Sequence, residues 1–121
     1  MNIYIFGNED LDYDNLPIRI LPELKKTFPQ ITFELKDPNE EFETNDNLTI
    51  IDTVHGIDKV TTFTDLAQFK SAPHISMHDF DLYSKLAFMQ KLEKLKQFKI
   101  IGLPKYISEE NALQSLKEIF S

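Results

Sequence analysis

The sequence has no cysteine, only three glycines and a single arginine, Arg19. Without cysteine there can be no disulfide framework, thiolate zinc site, iron–sulfur cluster or cysteine nucleophile, so any bound metal must be held by His, Asp or Glu. The three glycines form neither G-x-G-x-x-G nor a Walker loop, which argues against a Gly-rich nucleotide site. G-x-S-x-G and H-E-x-x-H are also missing, so neither a serine nucleophile elbow nor a zinc-protease helix is predicted.

The sequence also has no long apolar run, and the run at residues 3–6 is typical in length of those it does have. No transmembrane helix is expected, and the start of the sequence lacks the basic and apolar regions of a secretory signal, so a cytoplasmic location is the expectation. Twenty acidic against thirteen basic residues give a formal charge of −7. Because this charge repels a phosphate backbone, we predict no nucleic-acid partner, and no membrane partner either.

The length of 121 residues fits one domain, residues 1–121, with one hydrophobic core. Hydrophobic residues make up 41% and charged residues 27% of the chain, which is ordinary for a globular protein. No sequence feature indicates an oligomeric state.

Strand-like and helix-like segments alternate along the chain. Period-two or short buried patterns predict strands at 2–6, 31–35, 48–52, 60–63 and 98–103. Spacings of three and four predict helices after an Asn15 cap to Phe28, at 65–70, behind a capping box at 76–79 as far as Leu95, and after a Ser108 cap. Pro22 should kink or restart the first helix. This alternation predicts an α/β fold of three layers, a mostly parallel twisted sheet with helices on both faces.

Ligands of such sheets collect beyond the carboxyl ends of the strands, where three polar residues stand out: Asp14, Asp52 and His78. Each also has a purely structural interpretation. Asp14 could stabilise the start of the first helix, Asp52 could be a turn residue at the end of its strand, and His78 could be a half-buried histidine of a first helical turn.

Taken together, two carboxylates and an imidazole at one crevice form a site for a divalent metal with open coordination positions. A place in the first turn of a helix helps His78 as a ligand, because the helix dipole disfavours the imidazolium form. His55 and His74 are rival ligands, or residues that only surround the site.

Several short segments, in this order, resemble the hydrogenase maturation endopeptidases, which trim the C-terminal extension of nickel–iron hydrogenase large subunits. The Ser-x-His-x-x-x-Leu pattern of that family stands at residues 76–82. The other matching segments are Gly7-Asn8, residues 12–14 (Asp-Tyr-Asp), Ile18-Arg19, residues 50–54 (Ile-Ile-Asp-Thr-Val) and residues 100–104 (Ile-Ile-Gly-Leu-Pro).

The resemblance implies the fold of these proteases and a metal-dependent endopeptidase, a hydrolase whose partner is the hydrogenase large-subunit precursor. It assigns Asp14, Asp52 and His78 as metal ligands and catalytic residues, and it implies nickel, supplied by the precursor, or a surrogate divalent metal. The chain departs from the family pattern at Ile5, at Tyr13-Asp14 in place of the acidic pair, at Pro17 and at residues 37–39. It is also shorter than the family pattern between Asp52 and His78 and after Pro104. The alternative is a non-proteolytic module on the same fold that binds a metal centre or a partner.

Overall fold

The structure, a computed structural model, describes residues 2–7, 15–36, 47–54, 56–70, 77–92 and 97–120, with the backbone alone at 47, 69, 70 and 77–81. Strands and helices alternate along these segments. In chain order they are β1 (Asn2–Phe6), α1 (Leu16–Thr27), β2 (Thr32–Lys36), β3 (Asn47–Val54), β4 (Thr61–Phe63), α2 (Leu66–Lys70), α3 (Met77–Lys91), β5 (Gln97–Pro104) and α4 (Glu109–Phe120). Within the described segments, no helix has the length and apolar character needed to cross a bilayer.

The five strands form one sheet in the order β2-β1-β3-β5-β4. Three neighbouring pairs, β1 with β2, β1 with β3 and β3 with β5, are parallel, whereas the short edge strand β4 is antiparallel to β5. The chain adds β2 on one side of β1 and β3 on the other. The sheet therefore has a topological switch point between β1 and β3, the place where α/β sheets open a crevice at their carboxyl edge.

Alternate residues of the central strands face two separate apolar layers, because successive side chains of a strand point to opposite faces. On one face, α3 contributes Leu82, Leu86 and Met89; on the other, α1 and α4 supply the helical side chains. The first layer contains Tyr4, Phe6, Leu48, Ile50, Val54, Phe63, Leu82, Leu86, Met89, Phe98 and Ile100. The second contains Ile3, Ile5, Leu16, Ile20, Leu24, Phe28, Phe33, Ile51, Ile101, Leu103, Ala112 and Leu116. The predicted three-layer α/β fold is confirmed.

Helix α1 differs from its prediction in two ways: it does not restart at Pro22, and the Asn15 side chain does not cap it. It runs without interruption through Pro22, whose ring is exposed, while Leu16, Ile20 and Leu24 are buried along one side. The buried stripe holds the helix together across the hydrogen bond that proline removes. Asn15 precedes the helix but its side chain makes no capping hydrogen bond. A capping side chain accepts a hydrogen bond from the N–H of the second or third helical residue. Here the second helical residue is Pro17, which has no N–H, so one of these two donors is missing.

The other helices lie near their predicted places. The backbone N–H of Asn111 donates to Ser108 Oγ at 3.1 Å, which confirms the cap of α4. At α2, the N–H of Gln68 donates to Asp65 Oδ1 at 2.9 Å. Helix α3 ends at Lys91, so the prediction that it reaches Leu95 is wrong; residues 93–96 lie outside the described part of the chain, as does Ser76.

Candidate functional site

Asp52 lies inside β3, and the prediction that it ends the strand or forms a turn is wrong. The strand continues to Val54, and Asp52 pairs in register with Gly102 of β5. Its exposure is 0%. The two additional residues are explained by the parallel pairing with β5, which reaches as far as Val54 and Pro104. This pairing is a long-range contact that the local Asp-Thr-Val-His-Gly sequence does not reveal.

The side chain of Asp52 points to the face of the sheet that α3 covers. Leu48, Ile50 and Val54 of β3 belong to the α3 layer, and Asp52 shares their parity along the strand. Asp52 pairs with Gly102 of β5, one position beyond the row in which Ile51 lies between Ile5 and Ile101. A carboxylate among fully buried apolar residues costs folding free energy even when it has a partner. Such a group is therefore a candidate for function.

Gly102, the residue of β5 that pairs with Asp52, lies where there is no room for a side chain. A Cβ atom at that position would lie 2.8 Å from Val54 Cγ2 and 3.0 Å from Phe63 Cε2. The missing side chain thus lets Val54 and Phe63 pack closely beside the Asp52 row. Sequence reasoning noted Gly102 only as part of a motif, although glycine inside a strand is itself a sign of such a close approach.

His78 is the second residue of α3, and only its backbone is described. Residues 92–96 alone separate α3 from β5, so the last turn of α3 lies toward the edge where β5 begins. Its first turn, with His78, lies toward the opposite edge, on the face to which Asp52 points. The structure therefore places the helix start that carries His78 and the Asp52 side chain on the same face.

Asp14 lies outside the described residues, as do His55 and His74. Asp14 precedes Asn15 in the segment that leaves the carboxyl end of β1, and β1 and β3 flank the switch point. Among the side chains that the structure describes, no three of His, Asp or Glu form a group able to hold a metal ion. The convergence of Asp14, Asp52 and His78 stays a prediction.

A cavity of about 420 Å³ lies beyond the paired ends of β3 and β5, and sequence reasoning missed it. It is lined by residues 56–58 and 104–107. Gly56 turns the chain there with a φ of 84°, a left-handed conformation that favours glycine. Tyr106 is 87% exposed, and Lys105 Nζ lies 5.0 Å from the centre of its ring. The available signal was the Lys-Tyr pair directly after Pro104, at a strand's carboxyl end.

The mostly parallel sheet, its two helical layers and its switch point define an α/β protein whose candidate site lies at the carboxyl edge. Solved structures with this fold include the hydrogenase maturating endopeptidase HybD from Escherichia coli, which is 17% identical, with 98% of this chain and 94% of that one aligned at a TM-score of 0.64. Another is an endopeptidase from Escherichia coli solved in solution, also 17% identical, with 98% and 90% of the chains aligned at a TM-score of 0.65.

Neither a protein-family profile nor a curated protein matches the sequence. At 17% identity, the likeness to the two solved structures establishes a shared fold. The alignment extends over nearly the whole chain. The resemblance to maturation endopeptidases indicated by the sequence motifs is thereby confirmed at the level of the fold.

Proposed function

We propose that this chain is an endopeptidase that removes the C-terminal extension from the large-subunit precursor of a nickel-containing hydrogenase. The observation that carries the proposal is Asp52, a carboxylate with 0% exposure in the central strand of a fold shared with two endopeptidases. Residue 52 is also the acid to which the family resemblance assigns metal binding. Keeping a carboxylate in this apolar layer costs folding free energy, and a function for Asp52 supplies a reason for that cost.

In this proposal Asp14, Asp52 and His78 bind the nickel that the precursor carries. The donor set fits a divalent ion: two carboxylates balance its charge, and a neutral imidazole suits nickel among the first-row metals. Three ligands from this chain leave coordination positions for groups of the precursor. Asp52 is held by β3, which is paired on both sides, so one ligand is rigidly placed before the precursor arrives.

Two roles for the nickel are compatible with this ligand set. In the first, it polarises the scissile carbonyl or activates the attacking water. In the second, its docking to Asp14, Asp52 and His78 only positions the C-terminal tail. In both, the enzyme acts only on a precursor that already contains metal.

Two departures from the family pattern, Ile5 and Pro17, are explained by the fold rather than by a loss of function. Ile5 is fully buried in β1 and belongs to the layer packed by α1 and α4. Pro17 is the second residue of α1, where a missing N–H breaks no intrahelical hydrogen bond. Residues 37–39 lie outside the described part of the chain. Neither Ile5 nor Pro17 needs to alter the site.

The test is mass spectrometry of a hydrogenase large-subunit precursor, nickel-loaded or nickel-free, before and after incubation with this protein. We expect one cut near the C-terminus of the nickel-loaded precursor and none in the nickel-free one. An unfolded casein, with or without chelator, serves as the control and should stay intact. If the protein binds the loaded precursor tightly but leaves its mass unchanged, the endopeptidase proposal fails and the non-proteolytic binding module replaces it.

A further inference from the structure

We propose that the cavity beyond β3 and β5, lined by residues 56–58 and 104–107, binds a large apolar side chain of an extended polypeptide. The inference rests on the proposed endopeptidase function: the polypeptide is the substrate tail, and the side chain belongs to a residue at least two positions from the scissile bond. The cavity would then select the substrate sequence, while the Asp52 site selects for metal.

The spacing follows from the strand geometry. Val54, the last residue of β3, is two residues beyond Asp52 and pairs with Pro104, a residue of the cavity lining. At about 3.3 Å per residue, this strand end lies about 7 Å from Asp52. An extended substrate advances by a similar distance per residue. A chain whose scissile bond lies level with Asp52 therefore reaches the cavity at its second residue or further along.

The lining favours a neutral, apolar side chain. Ile57 and Ile107 are half-buried, Pro104 is buried, and Tyr106 offers an aromatic ring that is 87% exposed. Among the lining residues that the structure describes, the two charged groups, Asp58 and Lys105, have opposite signs. A volume of about 420 Å³ lies in the range of ligand-binding pockets.

The same lining indicates a polypeptide rather than a compact small molecule. The two walls are the chain segments that directly continue the parallel pair β3 and β5, so the cavity prolongs the seam between these strands. Its lining includes the ring of Tyr106, the kind of exposed aromatic residue that dominates protein recognition surfaces. A chain lying across the carboxyl edge of the sheet covers this ring.

The first experiment titrates the ¹⁵N-labelled protein with acetyl-Ala-Ala-Phe-Ala-Ala-amide and with the all-alanine pentapeptide. We expect the Phe peptide to bind at least about tenfold more tightly, because the burial of one aromatic side chain is worth about that factor. Amide signals of Gly56, Ile57 and Tyr106 should shift. Equal affinities of the two peptides, or shifts confined to other surfaces, would overturn the proposal.

Matched variants then test the aromatic wall. Tyr106→Ala should weaken binding of the Phe peptide at least about fivefold. The control is Phe88→Ala on α3, which removes another aromatic residue, 61% exposed, far in sequence from the cavity. Phe88→Ala should leave the affinity unchanged. A loss as large for Phe88→Ala as for Tyr106→Ala would contradict the assignment.

Cleavage of the nickel-loaded precursor separates this inference from the proposed function. We expect Tyr106→Ala to raise KM with kcat nearly unchanged, since the cavity binds a part of the substrate that does not react. Peptide binding at the cavity without any precursor cleavage would refute the endopeptidase and retain the peptide site. Cleavage by Tyr106→Ala with wild-type kcat and KM would refute the cavity proposal and retain the endopeptidase.

Discussion

The two edges of the central sheet are built from different chemistry. At the amino edge, where α1 and α4 end and β2 begins, Phe28 and Phe120 meet edge to face with ring centres 5.5 Å apart, and Phe33 lies 6.5 Å from Phe120. Toward the carboxyl edge of β3, Asp52 and Thr53 are polar and buried, at 0% and 2% exposure. Beyond the ends of β3 and β5 lie an open cavity and the exposed ring of Tyr106.

This difference shows how the molecule divides stability and chemistry between its edges. Aromatic packing at the amino edge closes the core and adds favourable contact energy beyond area burial. Buried polar groups at the carboxyl edge reduce stability, and proteins keep such groups mainly where a site requires them. Substitutions at the amino edge should therefore mainly lower the free energy of unfolding. Substitutions at the carboxyl edge should mainly lower the cleavage activity.

The largest effect should come from Asp52→Asn. This change keeps the shape of the side chain but removes the charge that holds the metal, so cleavage of the nickel-loaded precursor should fall about 1000-fold, equivalent to about 4 kcal/mol. The thermal midpoint, followed by circular dichroism, should move by no more than about 3 °C. Asp65→Asn, at an exposed acid, is the control and should cleave normally. Wild-type cleavage by Asp52→Asn would exclude Asp52 from the site.

The converse test is at the amino edge. Phe33 is 4% exposed, and Phe33→Ala should lower the free energy of unfolding by about 3 kcal/mol, because it removes a buried ring and leaves a cavity. Urea denaturation measures this loss. Cleavage per folded molecule should stay unchanged. A comparable loss of cleavage in fully folded Phe33→Ala protein would show that the two edges are not functionally separate.

A smaller effect is expected for Gly102→Ala, at the close approach beside Asp52. The added methyl group would press against Val54 and Phe63, so we expect a loss of about 1–3 kcal/mol in urea unfolding. In a Val54→Ala background the same change should cost less, since the nearest contact has been removed. Equal costs in both backgrounds would contradict the packing explanation.

The smallest effect is expected for Thr53→Val, on the opposite face of β3 from Asp52. Within the described part of the chain, the buried Thr53 Oγ1 has no hydrogen-bond partner. Replacing this hydroxyl with a methyl group should leave the free energy of unfolding unchanged or raise it by up to about 1 kcal/mol. Differential scanning calorimetry measures the change. A loss of more than about 1 kcal/mol would show that the hydroxyl is bonded in solution.

Local sequence patterns predicted the elements that depend on local interactions. The apolar residues of β1 and the Ser108 cap of α4 lie where the patterns indicated. The patterns were wrong where long-range packing prevailed over local preference. Helix α1 continues through Pro22 because its buried stripe spans the break, and β3 continues past Asp52 because β5 pairs with it to its end.

For the candidate site, too, some features followed from the sequence and others were seen only in the structure. Residue type and position after the strands made Asp14, Asp52 and His78 candidates, and the structure adds the complete burial of Asp52 and its orientation toward the layer of α3. For the cavity and the close packing at Gly102, local patterns offered only a Lys-Tyr pair after a strand and a glycine inside a strand, without the partners that each one meets. Both arise from segments that are distant in sequence and meet only when β3 and β5 pair.

The sequence by itself determined the alternation of strands and helices and the metal-binding chemistry open to a chain without cysteine, because periodicity and residue type are local properties. Only the tertiary structure decided the strand order β2-β1-β3-β5-β4 and the row that places Asp52 opposite Gly102. Strand register depends on hydrogen bonds between segments that are distant in sequence, and a shift of one residue would turn Asp52 to the other face of the sheet. The register therefore places Asp52 in the layer that α3 covers rather than in the layer of α1 and α4.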